Sequence, residues 1–306
     1  MTNKELFKKI DMFQSDLDGG ELLGEQARQF IQVAVEASTI QQYARTEMLP
    51  EGKRTIPRLG FGERILRRGH EHTALAQSQR AVPDIDSITL QTHKFMAEVR
   101  LSYEVMKRNV EMMGFQNTVQ TAMARRIGVD VDDLVLNSDT ASLDPFFNAF
   151  DGARKLAANT IDLAGAKFDS DAMKLMIATM PKKYKRQKRD LAFFCSTDSE
   201  ENYRDQLASR ATVLGDQNIQ GNEPLFFNGS RILEVPVMPE DLLAPPPTTE
   251  ALWTNPSNMI IGYDERVQFE FDKDISAQQI IIVATVWVDF KYENPDAVVR
   301  GWNIAL

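Results

Sequence analysis

At 306 residues the chain is long enough to bury a substantial core and has room for two subdomains. An apolar fraction of 43% with 26% charged residues is that of a soluble globular protein, and a net charge of −9 argues against a surface that embraces DNA or anionic lipid over its whole extent. Cys195 is the single cysteine, which excludes an intrachain disulfide and fits a reducing compartment; following Phe193 and Phe194, it reads as a buried, inert thiol.

The chain opens on an amphipathic helix pattern over residues 1–16, with Leu6, Ile10 and Phe13 on one face and no signal-peptide apolar core. Gly19 and Gly20 interrupt it and let the leading segment swing. A second helix is predicted over Glu21–Glu36, carrying Leu22, Ala27, Phe30, Ile31 and Ala34, followed by a shorter one that Ser38 caps with Gln41 in the capping-box position. The leader therefore reads as a detachable arm.

Residues 51–104 read as a long two-stranded arm. The outgoing limb, Thr55–Leu66, places Leu59, Phe61 and Ile65 on one alternating face; the return limb, Ile88–Tyr103, is a period-two pattern that changes phase. Ile88 and Leu90 are even-numbered, whereas Phe95, Ala97, Val99, Leu101 and Tyr103 are odd-numbered, so the two halves of this limb pack against different things. Ordering about 20 arm residues costs on the order of 20–40 kcal/mol of backbone entropy, while burial returns about 25 cal/mol per Å². The outer half, with Arg64, Arg67, Arg68 and Arg80 around its end, has too little apolar surface to make a core alone. Either the arm is disordered in a lone subunit or a neighbouring subunit supplies the missing surface; an ordinary surface hairpin with a floppy tip is the plain alternative.

A helix of about 28 Å, at 1.5 Å per residue, is predicted over Asn109–Ile127, with Gly128 as its stop. Asp144-Pro145 predicts a helix start with Phe146, Phe147, Phe150, Ala153 and Leu156 as its packing face. Another helix begins at Ser170 or Asp171 and stops near Pro181; Leu191–Ser196 is a buried strand, and Asp198–Glu201 a capping box opening the next helix. Asn228-Gly229 marks a tight hairpin before a strand at Ile232–Val237, and Pro245–Pro247 a stiff connector. The last fifty residues read as β, with strands at Met259–Ile261, Val267–Phe271 and Ile280–Phe290 that pack on the Asn109–Ile127 helix. The longest apolar run, Ile280–Val288, is too short to span a bilayer as a helix.

The order of these elements resembles the tailed-phage major capsid proteins of the HK97-type fold. The stretches that carry the resemblance are Leu233–Pro239, Asn258–Tyr263, Val288–Phe290 with Asn294–Val299, and Met180–Lys185 before the strand that ends at Cys195. The resemblance implies an α+β fold with residues 1–48 as N-terminal arm, 49–104 as extended hairpin loop laid across a neighbour, and 105–139 as peripheral domain with a spine helix. It further implies that 140–254 form an α/β axial domain and that the strands of 255–306 return to the peripheral domain. The expected function is a non-enzymatic shell protein, self-assembling as hexamers and pentamers around double-stranded DNA that it does not read by sequence. Expected partners are portal, scaffolding and cement or decoration proteins, with no cofactor and no membrane. The expected location is the virion capsid, assembled in the host cytoplasm. Subunit contacts are expected at Arg64, Arg67, Arg68 and Arg80 on the hairpin and at Phe13 and Leu22 in the leader. Some relatives cross-link a loop lysine to a neighbour's asparagine; here residues 67–86 contain no lysine, so that linkage is not expected, although Asn294 resembles the acceptor.

Alternative readings are an encapsulin-type nanocompartment shell, a monomeric α/β enzyme, and a nucleic-acid-binding module built on Lys182, Lys183, Lys185, Arg186, Lys188 and Arg189, with Tyr184 stacking on a base. A charged helix end or connecting loop is the favoured account of that run, and in an assembled shell it could instead pair with a neighbour's acidic surface such as Asp198–Glu201. His70 and His72 form an H-x-H short of a full zinc site, and Asp130, Asp132 and Asp133 lack the spacing of an EF-hand loop. No Walker loop, H-E-x-x-H or G-x-S-x-G is present, so a catalytic reading has no anchor.

Overall fold

The phase change in the return limb marks where the chain passes from an isolated ribbon into the body. The computed structural model describes residues 38–60, 65, 66, 68, 76, 77, 80, 82–104, 114–208, 224–242, 247–264 and 268–306. A helical turn, Ile40–Tyr43, leads into strands β1 (Arg45–Met48), β2 (Lys53–Gly60), β3 (Asp84–Gln91) and β4 (His93–Ser102). Then come a long helix, Gly114–Asn137, a short one, Ala153–Leu156, β5 (Asn159–Asp162) and a helix at Ser170–Thr179. A 3₁₀ segment, Lys182–Asp190, precedes β6 (Ala192–Cys195) and the helix Thr197–Ala208. The chain closes on β7 (Phe226–Phe227), β8 (Ser230–Glu234), β9 (Thr248–Thr254), β10 (Met259–Tyr263), β11 (Gln268–Asp274), β12 (Gln279–Tyr292) and β13 (Val299–Ala305).

These strands make a five-stranded sheet around β12, a six-stranded sheet in the order β5-β13-β9-β6-β8-β7, and a two-stranded ribbon, β2-β3. β4 runs antiparallel along one edge of β12, while β11 and β10 take successive stretches of the other edge and β1 adds parallel to β10. Phe95, Ala97, Val99 and Leu101 face the core with Ile280, Ile282, Ala284, Val286 and Val288, and the long helix covers this face with Met123, Ile127, Val131 and Leu134. The expected packing of the C-terminal strands on that helix is thus observed. The six-stranded sheet is covered on both faces: Phe194 and Leu252 belong to one core, their neighbours Phe193 and Trp253 to another. That is why β6 and β9 are buried at every position and show no alternation.

Several sequence expectations need correction. The long helix does not stop at Gly128; it continues to Asn137, because Val131, Leu134 and Val135 extend its apolar face against the core and outweigh one glycine. Its expected first residues, 109–113, lie outside the described residues. No helix starts at Asp144-Pro145: Asp144 accepts only local turn bonds from Phe146, Phe147 and Asn148, and the helix is confined to Ala153–Leu156. The turn at Ile40–Tyr43 has no side-chain cap of its own; Asp132 of the long helix accepts the N–H groups of Thr39, Ile40 and Gln41 at 2.7, 3.0 and 3.3 Å. The helix expected from Asp198 begins at Thr197, with Ser196 Oγ accepting from Ser199 N–H at 3.4 Å. The described strand of the outgoing limb ends at Gly60, and residues 61–64 of the expected limb lie outside the described residues. The three strands expected within 255–306 share one sheet as β10, β11 and β12, and a further strand there, β13, joins the other. The turn at Asn228-Gly229 is as expected, with positive φ at both residues.

Candidate assembly surface

The ribbon leaves the body at a rigid root. Leu49, Leu90 and Ile260 are fully buried together, with Ile56 packed against them, and a Cβ at Gly262 would meet the Leu49 side chain at 2.8 Å. Glu51 and Gly52 both take positive φ, 71° and 72°, turning the chain from β1 into β2. At Gly52 the left-handed conformation favours the residue that lacks a Cβ. Its carbonyl accepts from both the N–H and the Oγ1 of Thr92, at 2.9 and 3.1 Å. Thr92 is therefore the residue at which the return limb changes face: Leu90 before it points to the root, Phe95 and Ala97 beyond it to the body core. Gln91 N–H donates to Asp289 of β12 at 2.7 Å. Burial holds the Asp289 carboxyl above its ordinary value, against the stabilising Gln91 and Phe290 N–H groups.

Beyond the root the ribbon touches the body through Arg58. Its guanidinium donates to the Glu293 carbonyl and, at 2.9 Å, to Asn294 Oδ1, and it pairs with Asp86 across the ribbon. Asn294, the residue that resembled a cross-link acceptor, is thus engaged within its own chain, its N–H donating to Asn258 Oδ1 at 2.7 Å. Past Arg58 the described apolar residues are exposed. Leu59 and Ile85 face each other across the ribbon and are 68% and 72% exposed; Val82, Ile65 and Leu66 are exposed too. On the outer side of β4, Met96 is 68% exposed between Lys94 and Glu98. A groove of about 710 Å³ runs along the root between Glu51, Lys53, Gln91, Asp264, Gln268 and Trp287.

Of the contact residues expected from the sequence, Arg68 and Arg80 are exposed near the ribbon's end, and Arg80 N–H donates to the Gln77 carbonyl at 3.3 Å. Arg64, Arg67, Phe13 and Leu22 lie outside the described residues, as do His70 and His72. Arg58 and the Leu59–Ile85 pair were not singled out in advance, although Leu59 already stood on the alternating face. Cys195 is fully buried as expected, and burial raises its thiol far above the ordinary value. No described helix is long and apolar enough to cross a membrane.

The phage capsid family model matches residues 22–301. The chain belongs to the phage capsid family. A relative in Bacillus subtilis (strain 168), described as a putative prophage capsid protein, YqbE, is 33% identical over 306 residues, covering 98% of both chains. Among solved structures, a chain of the satellite phage P4 procapsid including size determination (Sid) protein superposes with a TM-score of 0.62 at 12% identity, covering 91% of this chain and 99% of that one. The holo-SrpI encapsulin complex from Synechococcus elongatus PCC 7942 gives 0.53 at 8% identity, covering 86% of each chain. The capsid-family fold is therefore the α+β, HK97-like one, and the chain is a structural protein of that family.

Proposed function

We propose that this chain is the major capsid protein of a phage or prophage, copies of which associate laterally as hexamers and pentamers into an icosahedral shell around double-stranded DNA. The observation that carries the reading is the ribbon. Leu59 and Ile85 are paired but exposed, on an arm fixed at its root, and among the described residues nothing forms a second layer on them. A neighbouring subunit supplies that layer.

In this reading residues 1–48 are the N-terminal arm and 49–104 the extended loop. The spine helix and the β12 sheet make the peripheral domain, and most of 140–254 the axial domain, joined by β13. Arg64, Arg67, Arg68 and Arg80, with Phe13 and Leu22 of the leader, make subunit contacts. Portal, scaffolding and cement proteins are the expected partners, and assembly takes place in the host cytoplasm before the shell becomes part of the virion. Electron micrographs of the purified protein test the reading: closed particles or rings are expected, and a monomer under all conditions of concentration and salt overturns it.

The encapsulin reading shares the fold, as the Synechococcus superposition illustrates. The family match and the prophage relative favour the capsid. Particles that enclose an enzyme and no nucleic acid when isolated from their native host would reverse that preference.

A further inference from the structure

We propose that the segment Lys182–Asp190 is a binding ribbon for the phosphate backbone of duplex nucleic acid, without sequence recognition. Its sequence is a triplet repeat: Lys182-Lys183-Tyr184, Lys185-Arg186-Gln187, Lys188-Arg189-Asp190. The structure gives it 3₁₀ conformation over its whole length. A 3₁₀ helix has three residues per turn, and side chains at i and i+3 eclipse. The period of the sequence therefore equals the period of the backbone. Lys182, Lys185 and Lys188 share one row, Lys183, Arg186 and Arg189 the next, and Tyr184 and Asp190 belong to the third. At a rise of about 2.0 Å per residue, cations within a row stand about 6 Å apart, close to the axial rise of two nucleotides on one strand, about 6.8 Å.

The segment is held to the body. Tyr184 is half-buried against the core that contains Phe193 and Trp253, Ser230 Oγ donates to the Lys188 carbonyl at 3.1 Å, and Leu191 is buried just beyond. Lys183 Nζ lies over the Tyr184 ring, 4.6 Å from its centroid, so a base could stack there only by displacing it, which leaves contact to the phosphates. The two basic rows are exposed apart from Lys185, which is half-buried. Among the described residues none of these six cations forms an ion pair within 4.0 Å, while ten other Arg and Lys side chains do. Lys182 and Lys188 add to burial in lowering the Lys185 pKa, a sign of cations crowded on one row.

A helix end explains little of this. The preceding helix closes at Thr179 with Met180 as its C-cap, and only Lys185, whose Nζ donates to the Ala178 carbonyl at 3.0 Å, reaches its terminal carbonyls. A protein partner explains little of it either, because specific protein interfaces centre on apolar or aromatic anchors. The outward rows carry none. A phosphate backbone needs only regularly placed cations, and arginine can grip it with two parallel bonds. That the nucleic acid is a packaged genome rests on the capsid reading; the binding itself does not.

The test compares three full-length proteins: wild type, the ribbon variant K183Q/R186Q/R189Q, and a charge-matched control, R125Q/K167Q/K174Q, taken from exposed positions elsewhere. Binding of a short mixed-sequence duplex is followed by fluorescence anisotropy across a salt series, with an acidic polypeptide of matched length as second probe. Wild type and control are expected to share one slope of log K against log salt, and the ribbon variant to lose about 2.7 from it, at about 0.9 per phosphate contact. Equal slopes for the ribbon variant and the control overturn the proposal, as does tighter binding of the acidic polypeptide than of the duplex. Particle formation is scored by electron microscopy on the same samples, so that failure to assemble, which counts against the capsid reading, is separate from failure to bind.

Discussion

The ribbon β2-β3 and the strand β9 contain comparable apolar residues and obey the same pairing rules, yet one is bare and the other dry. β9 is buried at every position from Thr248 to Thr254 because its two faces meet two cores of the same chain. Even its charge is accommodated: Glu250 accepts from Arg154 Nε at 2.8 Å and from Arg300 Nε at 2.7 Å, and Arg154 also donates to Asn137 at the end of the long helix. These guanidiniums outweigh burial and hold the Glu250 carboxyl below its ordinary value. In the ribbon the cross-strand pair Leu59–Ile85 is formed but, among the described residues, has nothing stacked on it. The same sheet chemistry is thus self-sufficient in one place and depends on another copy in the other.

The largest effect expected on that contrast is the loss of β9's charge clamp. Glu250→Ala leaves two partly buried guanidiniums unpaired at the junction of the long helix, β9 and β13, and should cost about 3–5 kcal/mol of subunit stability. Urea unfolding reads this directly; a change within about 0.5 kcal/mol, typical of a surface site, would show that the junction does not depend on the clamp. The ribbon should behave in the opposite way. Leu59→Ser should leave subunit unfolding within about 0.5 kcal/mol of wild type while removing about 1.5–3 kcal/mol of burial from each intersubunit contact. That corresponds to a roughly 10- to 150-fold rise in the concentration needed for particles to form. A variant that melts early, or assembles as before, would erase the distinction between the two regions.

Much of this contrast was legible in the letters. The switch from even to odd positions in the return limb puts a boundary between Leu90 and Phe95, because alternation reports directly which face is covered, and the structure sets it at Thr92. The doubly covered strands were harder: in Thr-Thr-Glu-Ala-Leu-Trp-Thr no alternation is left to read, and β9 was not foreseen. A lone glutamate inside such a run, followed fifty residues later by Arg300 in another strand-like run, is the signal a reader could have used. In the long helix Gly128 predicts a stop, a local cue overridden by burial of Val131, Leu134 and Val135. In the sequence Asp132 is one of a small acidic cluster, since its partners, the N–H groups of Thr39, Ile40 and Gln41, carry no mark there. Arg58 escaped for the same reason: two of its acceptors, the Glu293 carbonyl and Asn294, lie more than two hundred residues away.

Arg58 also sharpens the comparison at smaller amplitude. Arg58→Ala frees the ribbon from Glu293 and Asn294 while leaving the root cluster intact, and should weaken local protection by about 1 kcal/mol. Faster hydrogen exchange confined to residues 84–90, with unchanged global unfolding, is the expected result. Equal acceleration in β12 would mean that ribbon and body unfold as one unit.

The smallest expected effect is a pH slope whose sign differs between two buried carboxylates. Glu250 is depressed below its ordinary value of 4.5, so its contribution is present above that value and is lost as pH falls through its folded-state value. Asp132 is the reverse. Burial raises it above 3.8, against the N–H groups of Ile40, Thr39 and Gln41 and the Gln41 side chain, and no cation faces it among these partners. Between 3.8 and its raised value the folded state binds more protons than the unfolded one, so stability falls as pH rises through that window and then levels. Asp130, on the same helix, and Asp289, at the ribbon root, are raised too, and each adds a slope of the same sign. Subtracting the pH profile of Asp132→Asn from that of wild type isolates the Asp132 part. A difference that declines with pH above 3.8, together with weaker exchange protection of the Ile40 and Gln41 amides in the variant, would identify Asp132 as the attachment point between the leader and the body. A difference that rises with pH would mean that the ionised carboxylate gains more from its four donors than it loses to burial.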